Sequence, residues 1–469
     1  MTQQTQGELA LARRLTLRDM ALLNIVAVLS LRWLATSAAT GPSALVLWVL
    51  AALFFFIPMG FAVSALSVRH PEAGGLYAWT KRAYGDRHGF ICGWCYWVNN
   101  LLYYPNLLLS TAAILTYAFA RGGTGLENDL GFVIPTTLVM LWFATFINVV
   151  GVGTGRWLQN IGAICTFLPG VALIALGIMS VSTRGSANEF SVATMTPNLR
   201  DFSAVNLWAS IAFAFAGLEL APTMAAEVRD PERTLKRAVL IATPLILAVY
   251  MLGTMSVLWI VPHKEVNIVT GILQAIDMGA RSLGVAFGWI SAVAAGLLVI
   301  GNLGGIGAWL SGPARVALTI GIDMYFPRAF GNIHPKYRTP YVAFYVQATV
   351  GTLFLLISVL GKGTTVQTVY LILLDTMLLL YFLPFLYLFA SYIRIEFPHA
   401  TASGKVRIAA TGAAGFALTS FAMIVACVPP TGTPSVAAFE AKVVGGALFF
   451  LLAGTSLYAW RHRAIAVAA

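Results

Sequence analysis

Charge is scarce in this chain: 10% of its 469 residues are Asp, Glu, Lys or Arg, against 59% hydrophobic. A soluble domain with so little polar surface could not cover its core, so a polytopic helical membrane protein is expected. Cysteine is rare too. Cys92, Cys95, Cys165 and Cys427 all fall in apolar stretches. Cys92 and Cys95 have the spacing of a thiol oxidoreductase but not the polar setting a thiolate needs, so they read as small packing residues. The six histidines show no metal-ligand spacing, and there is neither a phosphate-binding loop nor a nucleophile–base set. No cofactor, no metal and no enzymatic activity are therefore expected. His334 sits in a basic loop and reads as solvated. A cleavable leader is not expected either, because a polar Met1–Arg18 precedes an apolar run too long for a signal peptide.

What the chain has in abundance is long apolar runs. They place twelve spans at about 17–40, 43–67, 88–119, 131–151, 157–181, 203–226, 237–262, 284–318, 340–360, 365–393, 406–428 and 441–461. The fold class expected is thus all-α and polytopic, with residues 1–16 and 462–469 as tails on one side. The net charge of +11 would suggest nucleic acid in a soluble protein. Here its placement explains it. Of 29 Lys and Arg, 21 lie in the two tails, in even-numbered loops or at their edges, seven lie on the opposite side, and Arg32 is inside a span. That bias puts both termini in the cytoplasm, and no nucleic-acid partner is expected.

The chain is organised around Ile211–Ala238. Glu219 falls deep in an apolar run, where a carboxylate costs ~2.5–3.5 kcal/mol on insertion scales. Such residues usually mark a solute or ion pathway; the alternative is a kinked packing helix whose acid a neighbour neutralises. Gly217, two residues earlier, loosens the helix as a backbone-lined site requires. Arg32 in the first span either holds an anionic group through its planar fork, snorkels outward, or pairs with an acid such as Glu219. Asn99 and Asn100, adjacent amides at membrane depth, serve either a bound solute or helix-to-helix packing. Asp375 is a second deep acid, in the tenth span.

Three stretches carry a resemblance. Phe213-x-Phe215-x-Gly217-x-Glu219 is followed by Glu227-Val228-x-Asp230-Pro231-x-Arg233. Pro71-x-x-Gly74-Gly75-x-Tyr77 leads on to Gly85, and a run from Gly304 through Trp309, Pro313, Arg315 and Asp323 reaches Pro340. Together these resemble amino acid–polyamine–organocation (APC) permeases over roughly residues 15–395. Within that superfamily Thr166-x-x-Pro169-Gly170 of the fifth span and the adjacent Asn99 and Asn100 of the third look nearest to the glutamate/γ-aminobutyrate antiporter and polyamine-transporter branches.

The resemblance implies a LeuT-like five-plus-five inverted repeat over 17–393, with 17–181 as the first half and 203–393 as the second. Helices 11 and 12, over 406–461, are additions. It also implies breaks in the first and sixth helices, and a hinge loop at 71–85. Ala27, Val28, Ser30 and Arg32 from the first helix are expected at the substrate. So are Asn99, Asn100 and Tyr104 from the third, Phe213, Ala216 and Gly217 from the sixth, and Trp309 from the eighth. Glu219 and Asp375 are the expected proton- or ion-coupling groups. The family's Gly-Ser-Gly patch is replaced here by Ala27-Val28-Leu29, which leaves open whether the first helix unwinds there. The lysine that some proton-coupled members carry in the fifth helix is absent.

The function expected is secondary active transport, by symport or antiport, of amino acids or related amines across the plasma membrane. Polyamine or glutamate/γ-aminobutyrate exchange is a narrower form of it. The alternative is a sensor or scaffold that binds such a solute without moving it, although the short tails leave little room for an output domain. Expected partners are the small-molecule substrate, a proton or exchanged solute, the lipid bilayer and, as an open option, a second copy of the chain.

Overall fold

The computed structural model describes residues 14–71, 74–120, 125–198, 200, 202–282, 284, 289–359, 366–428 and 436–468. Among them the backbone is helical almost throughout, and its sole extended pairing is a bridge between Leu15 and Val228. Thr16 starts the first helix with a capping box, its hydroxyl accepting from the Asp19 N–H while the Asp19 carboxylate accepts from the Thr16 N–H.

The first span is two helices, α1 (Leu17–Val28) and α2 (Arg32–Ala38). The second comprises α3 (Ser43–Ala51), a π turn at Ala52–Phe56 and α4 (Ile57–Arg69). A short amphipathic α5 (Leu76–Tyr84) follows, bounded by Gly75 at φ 47° and Gly85 at φ 88°. These are left-handed positions that favour glycine. Next come α6 (Asp86–Ala120), α7 (Leu130–Val150) and α8 (Val152–Arg184). The sixth span is again broken, into α9 (Phe202–Ala214) and α10 (Leu220–Thr223).

After it run α11 (Pro231–Ile260), α12 (Gly271–Ser282), α13 (Trp289–Ile322), α14 (Tyr341–Ser358), α15 (Val366–Glu396), α16 (Ala402–Ala426) and α17 (Val436–Ala468). Nine segments among the described residues are long and apolar enough to cross a membrane, and Tyr341–Ile357 is a shorter apolar helix. The chain is a polytopic all-α membrane protein.

Like the short α5, α12 lies outside the twelve expected runs. At 12 residues α12 is too short to cross a membrane, and it carries the polar Gln274, Asp277 and Arg281. Close crossings fix the rest. A Cβ on Gly304 of α13 would lie 2.6 Å from the Gly162 Cα of α8, so these helices touch backbone to backbone. The core lies where α1, α6, α9, α13 and α15 converge. His334 is half-buried rather than solvated, its Nδ1 accepting from the backbone N–H groups of Lys336 and Tyr337, because the loop folds back on it.

Candidate functional site

The two broken helices meet at their breaks. Where the first span breaks, between Val28 and Arg32, the regular helical ladder is interrupted and polar groups such as the Ala27 carbonyl are left without their helical donors, which cannot stay bare at membrane depth. Side chains from distant helices satisfy them. The Trp309 indole N–H donates to the Ala27 carbonyl at 2.9 Å. The Tyr250 hydroxyl from α11 lies within hydrogen-bond reach of the Val28 carbonyl and of the Ala214 carbonyl, the latter at 2.9 Å, and accepts from the Ser30 N–H at 3.2 Å. One phenol thus ties both breaks together. Gly217 has φ 135°, and a Cβ there would lie 2.9 Å from Val28 Cγ2 and 3.0 Å from the Ala27 carbonyl carbon. Only glycine lets the sixth span approach the first so closely.

Glu219 sits just beyond that contact and is fully buried. One carboxylate oxygen accepts from the Gly217 N–H at 2.8 Å, and the other accepts from the Tyr381 hydroxyl and, at 3.5 Å, from Tyr96. None of these is a cation, and no ion pair of Glu219 occurs among the described residues. A cage of rings stands beside it. Phe213 meets Tyr381 at 4.9 Å and Trp33 at 5.4 Å between centroids, and Tyr103 meets Trp309 at 4.9 Å. A buried carboxylate held only by phenols and an amide, next to ring faces, can take up a proton or attract a cation.

The other expected residues fall around this centre. Arg32 opens α2, donates to the Asn106 side chain and lies over the rings of Trp33 at 4.3 Å and Tyr103 at 5.2 Å. Ala27, Val28, Ser30, Phe213, Ala216 and Trp309 are buried at the two breaks or in the cage. Asn100 is buried on α6, its amide donating to the Tyr96 carbonyl. Its oxygen, and both ends of the Asn99 side chain, have no hydrogen-bond partner among the described residues. Tyr104 braces the backbone of Trp309, while its neighbour Tyr103 is the ring that reaches Phe213. Asp375 falls within α15, but its side chain lies outside the described residues.

Sequence reasoning missed Trp33, Tyr96, Tyr103, Tyr250 and Tyr381. Trp33 adjoins Arg32, Tyr96 and Tyr103 flank Asn99 and Asn100, and Tyr96, Asn100 and Tyr103 share one helical face. Tyr250 and Tyr381 are isolated hydroxyls in apolar helices, a weaker signal that they have partners to find. Tyr250→Phe should cost about 1–3 kcal/mol, because it leaves the buried Ala214 carbonyl without its donor and removes the link between the two breaks. Thermal unfolding of the purified protein should fall by several degrees. An unchanged midpoint would mean that the phenol does not hold the breaks.

Below the cage, at the end nearest the N-terminus, the bundle is shut by polar contacts. Arg315 of α13 and Glu227 form a buried bidentate pair, at 2.6 and 2.9 Å. The Glu227 carbonyl also accepts from the N–H groups of Arg14 and Leu15. Asp19 meets Arg156 at 3.4 Å and Asn160 at 2.9 Å. Lys81 bridges Asp323 at 2.7 Å and Asp86 at 3.4 Å. Burial pulls the Lys81 pKa down, but hydrogen bonding and attraction to Asp323 and Asp86 outweigh it and hold it above the ordinary lysine value.

Comparison with known proteins fits this geometry. Residues 15–449 match a family model described as amino acid permease. An uncharacterized transporter of Legionella pneumophila is 28% identical over 443 residues, covering 92% of this chain and 94% of that protein. A probable agmatine/putrescine antiporter of Lactococcus lactis is 25% identical over 63% of this chain and 61% of its own length. The serine/threonine exchanger of Bacillus subtilis is 26% identical over 67% of this chain and 68% of its own.

Proposed function

We propose, since the chain belongs to the amino acid permease family and is a secondary transporter, that it moves an amino acid or related amine across the plasma membrane by alternating access. The observation that carries this reading is Glu219, buried without a cation among its described partners, where two broken helices meet an aromatic cage. An ammonium group is the natural occupant. It would lie over Phe213 and neighbouring rings, with the carboxylate near enough to respond to its charge. Arg32, at the start of α2, is suited to a carboxylate at the other end of the substrate. The names of the relatives include both amines and hydroxy amino acids, which supports the class rather than one member.

Residues 17–393 form the transport core in this reading, with 17–181 and 203–393 as its repeats and 406–461 flanking it. The end closed by Glu227 and Arg315 faces the cytoplasm, in keeping with the excess of Lys and Arg there. A proton or an exchanged solute supplies the driving force, and Glu219 is the group that senses it. Asn99 and Asn100 bring amide groups to the same region for the polar atoms of the solute.

The test is a Phe213 series assayed for uptake into proteoliposomes against a panel of amino acids, polyamines and γ-aminobutyrate. Ring burial over an ammonium contributes about 0.5–2 kcal/mol, so Phe213→Ala should raise the apparent KM several-fold while Phe213→Trp holds it near wild type. Equal uptake by all three would take Phe213 out of the site.

A further inference from the structure

Away from the cage, four helix ends line an open cavity of about 350 Å³. Its lining includes Arg69, Lys236, Arg407 and Glu396 together with the apolar Phe61 and Val68. We propose that this cavity seats the phosphate headgroup of an anionic phospholipid, with an acyl chain lying along the outer face of α4. The inference is independent of what the central site carries.

Charge is the first argument. Three cations face one carboxylate, and Glu396 is already engaged by Arg69 at 3.1 Å. Lys236 and Arg407 are exposed and have no ion pair among the described residues. A phosphate monoanion would complete the set through charge-assisted hydrogen bonds.

Depth is the second. Arg69 is the last residue of α4 and Glu396 the last of α15, while Lys236 and Arg407 lie in the second turns of α11 and α16. The cations therefore sit where apolar helices leave the hydrocarbon, which is the level of lipid phosphates.

Shape is the third. Phe61 and Val68, seven residues apart on α4, are 47% and 37% exposed, and Leu240, one turn beyond Lys236, is 63% exposed. A soluble anion would meet the charges but leave this apolar wall bare. A phospholipid matches both.

The experiment uses the full-length protein in phosphatidylcholine vesicles with and without phosphatidylglycerol. It compares wild type with Lys236→Gln/Arg407→Gln. Lipid retained on the protein is read by native mass spectrometry, and stability by the unfolding midpoint. Wild type should retain phosphatidylglycerol in preference to phosphatidylcholine and unfold at a higher temperature when it is present. The double variant should retain several-fold less phosphatidylglycerol and lose that rise, with phosphatidylcholine retention unchanged. Inorganic phosphate added to phosphatidylcholine vesicles should leave the wild-type midpoint where it was. Equal phosphatidylglycerol retention by the two proteins, or a full rise with phosphate alone, would overturn the proposal. Should the variant not fold, the wild type decides alone: no preference between the two lipids refutes the site.

Discussion

Glu219→Gln is expected to fold, bind solute and exchange it without the pH dependence of the wild type. The carboxylate accepts from the Gly217 N–H, from Tyr381 and from Tyr96. A glutamine can take over all three contacts. Its oxygen accepts from the amide, and its NH2 donates to hydroxyls that rotate to accept. Shape and hydrogen bonding survive, and titration does not. In the wild type a rate limited by one titrating group changes by up to about tenfold per pH unit on its sloping limb, and that limb should flatten in the variant. The reason is alternation. Closed, the carboxyl is cut off from water; with the site open, or with an ammonium beside it, its charged form is favoured. A Gln variant with the wild-type pH profile would assign the coupling elsewhere, and Asp375 would be the next group to test.

The second large effect is expected at Glu227 and Arg315. Both side chains are buried and joined by two hydrogen bonds, so removing either leaves an isolated charge in the packed end of the bundle. Losing one partner of such a pair costs about 3–5 kcal/mol. Arg315→Met and Glu227→Gln should each lower the unfolding midpoint and the yield of folded protein. The combined variant should be more stable than the sum of the two losses implies, because no lone charge remains. Strictly additive losses would mean that the two residues act separately. The pair also ties α13 to the segment after the sixth span, and that segment to Leu15, so it is a latch that must release if this end opens.

The sequence made the sixth span legible because its signal is local. A glycine two residues before a deep acid announces both the break and the reason for it, and the structure places Gly217 and Glu219 at that break. The break in the first span could not be read so. Ala27-Val28-Leu29 has no residue that favours unwinding, and what holds the helix open comes from Tyr250 and Trp309, more than 200 residues away. Glu227 shows the same limit. Its neighbours Arg229 and Asp230 are exposed as a segment leaving the membrane should be, yet Glu227 itself is buried, because its partner arrives from α13. The resemblance put Asn99, Asn100 and Tyr104 together, but Tyr103 and Tyr104 point to different faces of their helix. Tyr103, not Tyr104, joins the cage rings.

The most direct test of the central claim is counterflow. Proteoliposomes containing the purified protein are loaded with an unlabelled solute from the panel of amino acids, polyamines and γ-aminobutyrate, and trace labelled solute is added outside. The account predicts transient accumulation of label for at least one amine-bearing solute, driven by the internal pool and abolished when that pool is omitted. Saturable binding of the same solute with no accumulation under any loading would contradict it, and would make the buried site that of a sensor.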